Sequence, residues 1–134
     1  ADGSFKRVKK LAKQLKVPVN FTGKLDKSTW IALATDYNVF INTTNFDNTP
    51  VSVIEAMALG LPVVSTNVGG MPYLIDHQID GILVDPDHVK QMVSAILQLH
   101  NNNALTKKLS VSARQKVEQF DWEVVKDQWF DILK

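Results

Sequence analysis

The sequence predicts an α/β domain built on a parallel sheet of about four strands, with flanking helices and a helical C-terminal tail. Short β-rich apolar runs are not interrupted by polar residues, which is typical of strands buried on both faces of a sheet. Helical periodicity fills most of the sequence between these runs. A chain of 134 residues that is 45% apolar is long enough for a single core. We therefore expect residues 1–134 to form a single domain.

Helix and strand alternate through the first part of the chain. Helical spacing covers 5–16, and a second helix begins after Asp26 or Ser28, either of which can cap it. The apolar segments 17–22 and 38–42 are predicted strands. The same criteria predict helices over 51–59 and 71–75 and strands over 62–65 and 81–84.

Helices alone are predicted after Pro86. Asp87 is the expected cap of a helix that ends near His100. A second helix covers 104–120, and Asp121 precedes a third. Trp122 and Trp129, seven residues apart on that last helix, are expected in the core or on a docking surface.

Charge and composition exclude several classes of protein. Residues 1–30 carry eight basic and two acidic residues, whereas the whole chain has a net charge of +1. A basic arm can bind nucleic acid or a membrane surface, but Val8, Leu11 and Leu15 recur at helical spacing, so the lysines are expected on a solvated helix face. No nucleic-acid partner is therefore expected.

The chain has no apolar run of membrane-spanning length or signal-like start, which favours a cytoplasmic location.

Metal and cofactor motifs are absent from the sequence. The chain has no cysteine, and its histidines, His77, His88 and His100, do not have the spacing of a ligand pair. There is no G-x-G-x-x-G or lysine-containing phosphate loop. We expect no metal site and no nicotinamide or flavin cofactor.

The segment 42–60, NTTNFDNTPVSVIEAMALG, is the best candidate site. Free amides and the dipole at the start of a helix suit a phosphate, and Glu55, one turn further on, can reach a neighbouring diol such as a ribose. Asp47 in the preceding loop can bind a second hydroxyl-rich group. Alternatively, Thr49 and Asp47 only cap the helix and Glu55 is a surface residue, and spacing alone does not separate the two. The predicted first turn consists of Thr49, Pro50, Val51 and Ser52.

Gly69 and Gly70 are a second candidate for anion binding. They follow a predicted strand, and two glycines allow a ligand to approach the main chain closely. A tight turn between strand and helix explains the pair equally well.

Three blocks occur in a characteristic order, and the first of them overlaps the end of the candidate segment. EAMALGLPVV covers 55–64, GGMP covers 69–72 and GILVDP covers 81–86. With the preceding loop, they resemble the C-terminal half of glycosyltransferase family 4, the glycosyl transferases group 1. The resemblance implies a GT-B fold, with two Rossmann-like domains facing a cleft. It also implies that this half binds a nucleotide-diphosphate sugar for a metal-independent, retaining hexosyl transfer, as in polysaccharide biosynthesis.

The resemblance also assigns roles to single residues. The family has two glutamates separated by seven residues, and Glu55 matches the second, which would hold the ribose. Asp47 stands at the first and would meet the donor sugar with a side chain one methylene shorter. Tyr73 stands where glutamate is common. The resemblance places the diphosphate against residues 49–52 and the base near Gly23, Lys24 and Leu25.

The resemblance further implies parts that this sequence lacks. The acceptor domain is one, and the first strand and helix of the nucleotide domain, with an arginine and a lysine for the diphosphate, are another. We therefore expect the chain alone to be inactive. The segments 17–22 and 38–42 would then either pair directly or leave open edges through which a homodimer forms. Membrane association is expected only through the absent domain. Two alternatives stay open: a sugar-nucleotide epimerase on the same scaffold and a non-catalytic interaction module.

Overall fold

The computed structural model describes residues 4–133. The chain forms two compact units, of which the first ends at Trp30 and the second begins at Ile31. The predicted N-terminal helix is α1, Ser4–Gln14, in the first unit. Residue Phe5 packs edge-on against Phe21 with 5.5 Å between ring centroids.

Helix α2, Lys27–Ala34, begins at the predicted cap. The Asp26 carboxylate accepts hydrogen bonds from the Thr29 amide at 2.8 Å and from the Ser28 hydroxyl at 2.7 Å. Asp26, rather than Ser28, is therefore the capping residue. The Thr29 amide bond, followed by those from the Ser28 and Thr29 hydroxyls, lowers the pKa of Asp26 to about 2.

The predicted strand over 17–22 is wrong. No residue of this segment is in a strand, and Val17 and Val19 are about half exposed. β-branched residues favour an extended chain, but a strand forms only where a neighbour completes its hydrogen-bond ladder. Pro18 also lacks an amide to donate.

The sheet lies in the second unit and contains three described strands in the order β1-β2-β3: Phe40–Asn42, Val63–Thr66 and Ile82–Val84. All pairings are parallel, and Asn42 lies opposite Ser65 while Thr66 lies opposite Val84. The central β2 is buried along its whole length. Among the described residues, β1 pairs with β2 and β2 pairs with β3.

Helices of the second unit cover the sheet and form the C-terminal tail. They are α3, Val51–Ala58; α4, Met71–Leu74; α5, Val89–Asn101; α6, Asn103–Val117; and α7, Trp122–Ile132, which follows a 3₁₀ turn at Glu118–Phe120.

The caps of these helices explain where they begin. Asp121 accepts from the Glu123 amide at 2.8 Å, as expected. Asp87 does not cap α5. Its φ of +58° is left-handed, and the N-cap position is taken by the next residue, His88. The His88 Nδ1 atom accepts from the Gln91 amide at 3.3 Å instead. The Gln91 side chain in turn bonds the amide and carboxylate of Asp85.

The core joins the sheet to α5 and α6. Leu109 is fully buried, and it packs in a cluster with Val64, Ile82, Val84, Ala95 and Leu99. Trp122 and Trp129 are more than half exposed, so they are not core residues. Within residues 4–133, no helix combines the length and apolarity needed to span a bilayer.

Candidate functional site

The parallel register brings two loops to one edge of the sheet. The loop 43–49 follows β1 and the loop 67–70 follows β2, and both leave from the carboxyl ends of adjacent strands. Ligands of open α/β sheets bind at this edge. The sequence predicted both loops as the place for a site.

Helix α3 begins at this edge without a side-chain cap. Its N-cap residue is Pro50, which is buried and makes no side-chain capping hydrogen bond. The Val53 amide donates to the Pro50 carbonyl oxygen at 3.0 Å. Thr49 and Asp47 therefore do not cap the helix, which removes the capping alternative for these two residues. The main-chain amides at the start of α3 can therefore donate hydrogen bonds to an anion.

The predicted acids lie on either side of this helix start. Glu55 is half-buried and lies four residues after Val51, so it shares a helix face with the first turn. Ser52 and Thr49 are exposed, and Asp47 is half-buried in the loop 43–49. Asp47, the first turn of α3 and Glu55 therefore lie within the continuous segment 47–55 of the second unit.

The Gly69–Gly70 turn packs on the main chain of the loop 43–49. The Gly70 amide donates to the Asp47 carbonyl oxygen at 3.0 Å. A Cβ atom at Gly69 would lie 1.9 Å from that oxygen, and one at Gly70 would lie 1.4 Å from the Asn48 carbonyl oxygen. The glycines are thus required by contact with the protein's own main chain.

A small cavity opens beside the start of α3. Its volume of about 180 Å³ is below the ~300–1,000 Å³ typical of a whole small-molecule site. The cavity is therefore large enough for only part of a nucleotide sugar. Tyr73, which lines the cavity, is 89% exposed, and no role was predicted for this residue. The cavity is lined by Thr49, Ile54, Gly70, Tyr73, Leu74 and Phe120.

A larger cavity, of about 300 Å³, lies at the carboxyl ends of β2 and β3. Thr66 and Val84 end these strands, and Met92 of α5 contributes to the apolar wall. The sequence analysis missed this cavity, because its wall combines segments that are far apart in the chain.

The residues assigned to the base lie in the first unit. Gly23, Lys24 and Leu25 form the loop that leads to α2, with Lys24 exposed and Leu25 half-buried. Gly23 has a φ of +67°, and a Cβ atom there would have no neighbour within 4 Å. Among the described residues of this unit, glycine is therefore favoured at position 23 by its backbone conformation and not by lack of space.

Two of the three histidines make hydrogen bonds to main-chain amides. His77 Nδ1 accepts from the Leu83 amide at 3.0 Å, and His88 caps α5. His100 lies in the last turn of α5.

The model of the glycosyl transferases group 1 matches residues 2–102. This chain belongs to that family. An uncharacterised glycosyltransferase from Haemophilus influenzae is 30% identical over 94% of this chain and 36% of its own length. The chain thus spans about a third of this curated relative.

Solved structures show the GT-B fold of the family. Sucrose-phosphate synthase from Thermosynechococcus elongatus superposes with a TM-score of 0.87 and 25% identity over 96% of this chain and 33% of its own. HepE from Anabaena, solved in complex with UDP, has a TM-score of 0.84 and 25% identity over 99% of this chain and 38% of its own. The group 1 chain described here therefore corresponds to one part of a GT-B glycosyltransferase.

Proposed function

We propose that this chain binds the nucleotide-diphosphate sugar of a retaining glycosyltransferase. The uncapped start of α3, with Glu55 one turn further on, is the observation that carries the proposal. Family membership supports it, and so does the similarity to HepE, whose structure contains UDP. We also propose that sugar transfer needs an acceptor domain and that the chain by itself is inactive.

Each proposed contact follows from the chemistry of its group. Amides of the first turn of α3 donate to the diphosphate, and the Ser52 hydroxyl adds a donor. Glu55 accepts from the ribose hydroxyls, which a carboxylate does well because both of its oxygens are acceptors. Asp47 accepts from a hydroxyl of the donor sugar. Stabilising the negative charge of the departing diphosphate is the main electrostatic task in such a transfer.

Calorimetric titration with UDP, GDP and ADP tests the binding step and identifies the base. Glu55→Ala should weaken nucleotide binding about tenfold to a hundredfold, the equivalent of ~1.5–3 kcal/mol for hydrogen bonds to a charged group. Glu118→Ala is the control, because Glu118 is an exposed carboxylate on the 3₁₀ turn that pairs with Arg114. Equal affinities of the two variants would contradict the ribose contact. An intact fold that binds none of the nucleotides favours an interaction module.

The sugar contact of Asp47 is tested by transfer in the polypeptide that includes the acceptor domain. Asp47→Ala should lower kcat far more than it raises the KM for the donor, because the lost contact is to the reacting sugar. Asp36→Ala, in an exposed position outside the loop, is the control. Equal losses in binding and turnover would count against the role. Release of an epimerised sugar without an acceptor would favour the epimerase.

The proposed binding needs no metal ion, and titrations with Mg²⁺ and with EDTA should give the same affinity.

The cytoplasmic location and the homodimer stay predictions. Light scattering that shows only a monomer would contradict the homodimer.

A further inference from the structure

The loop 43–49, named the Asp47 loop from here on, is fastened to β2 and to the turn after it. The Thr66 hydroxyl, on a side chain that is almost fully buried, donates to the Thr44 carbonyl oxygen at 2.5 Å. The Gly70 amide donates to the Asp47 carbonyl oxygen at 3.0 Å. These bonds hold the main chain at both ends of the segment 44–47.

The main chain of the same loop also lies very close to Gly70. Real Cβ atoms do not approach other heavy atoms to 1.4 Å, so any side chain at Gly70 must displace the Asn48 carbonyl group. Gly70 has a φ of −81°, which any residue adopts, so its small size is needed for space alone.

We propose that Gly70 and Thr66 are positioning residues that set the place of the Asp47 carboxylate relative to the start of α3. The proposal rests on the proposed function for the identity of the ligand. Since aspartate is one methylene shorter than glutamate, its reach depends directly on the main-chain position that the turn imposes. A displaced loop would then lose the sugar contact while the amides of α3 still bind the diphosphate.

The matched pair Gly70→Ala and Gly60→Ala separates this role from general destabilisation. Gly60 has a φ of +77°, so alanine is strained there, but its Cβ would meet only the Ser110 hydroxyl at an ordinary 3.6 Å. Amide spectra by NMR should show shifts across residues 44–49 for Gly70→Ala and none in this loop for Gly60→Ala. Unchanged loop resonances in Gly70→Ala would overturn the proposal, whatever the chain binds.

Binding supplies the second readout. With Gly70→Ala, the affinity for the nucleoside diphosphate should stay within twofold of the wild-type value, whereas the additional affinity for the nucleotide sugar should be lost. Equal weakening of both ligands would indicate a merely structural role and contradict the proposal. If the wild-type chain bound neither ligand, the proposed function would fail, and the loop shifts would still decide the positioning role.

Thr66→Val is the milder variant should Gly70→Ala not fold. It removes the hydroxyl at nearly constant volume and releases the Thr44 carbonyl oxygen. Its control is Ser110→Ala, which removes a hydroxyl bond to the Gly60 carbonyl oxygen away from the Asp47 loop. Loop shifts in Thr66→Val but not in Ser110→Ala support the proposal, and the same shifts in both would overturn it.

Discussion

Replacing Lys116 with methionine should destabilise the second unit strongly. The Lys116 Nζ atom lies 2.8 Å from Asp80 Oδ2 and 2.9 Å from Asp76 Oδ2, which ties α6 to the segment before β3. The Asp80 side chain is only 4% exposed, so the variant leaves a buried carboxylate whose remaining hydrogen bond comes from the Asp76 amide. Removing one partner of a buried pair costs about 3–5 kcal/mol. The Lys116 side chain is 21% exposed, and we expect about 3 kcal/mol.

Urea unfolding followed by circular dichroism measures this loss. Asp76→Asn is the control, because the Asp76 side chain is 62% exposed and the variant should cost about 0–1 kcal/mol. If both variants lost the same free energy of unfolding, the burial of Asp80 would not be the cause.

The pH dependence gives an independent check. Desolvation lowers the pKa of Lys116, but the hydrogen bonds to Asp80 and Asp76 outweigh it, so the pKa lies above the ordinary value of 10.5. A raised pKa in the folded state contributes stability that is complete below 10.5 and is lost as pH rises through the folded value. The stability difference between wild type and Lys116→Met should therefore stay constant at neutral pH and shrink above 10.5. A difference that shrank in acid alone would contradict this assignment.

Two further predictions concern helix capping and the core. The Asp26 carboxyl carbon should titrate near pH 2 by NMR, so its stabilisation of α2 is complete above pH 3.8 and is lost as pH falls through about 2. A midpoint near 3.8 would show that the bond from the Thr29 amide does not persist in solution. Leu109→Ala should lower the free energy of unfolding by about 2–5 kcal/mol, since Leu109 is fully buried. Leu97→Ala, at a half-exposed position, should cost much less, and similar losses would refute the assigned core.

Local signals predicted most of the second unit correctly. The apolar runs at 62–65 and 81–84 match β2 and β3 to within a residue, because a buried parallel strand needs uninterrupted apolar residues. The Asp121 cap was also predictable, because it depends on residues within three positions. Asp87 shows the limit of that rule: its side chain suits a cap, but its left-handed backbone excludes it from the position.

The failure at 17–22 has a different cause. The strand propensity of a segment depends on its own residues. The hydrogen-bond ladder that makes it a strand also requires a neighbouring segment to pair with. A sequence pattern therefore cannot show whether the neighbour is present. For the same reason, the homodimer and the direct pairing of 17–22 with 38–42 stay open alternatives.

Gly69 and Gly70 show how far a site can be predicted from residue types. The sequence left two explanations of this pair open, a bound anion or a tight turn, because a glycine pair carries no information about what lies beside it. In the structure it is the main chain of Asp47 and Asn48, which lie more than twenty residues earlier in the chain. The two motifs that the sequence treated separately are therefore parts of one arrangement. In it, a strand, a turn and a loop together determine where a single carboxylate stands relative to a helix start.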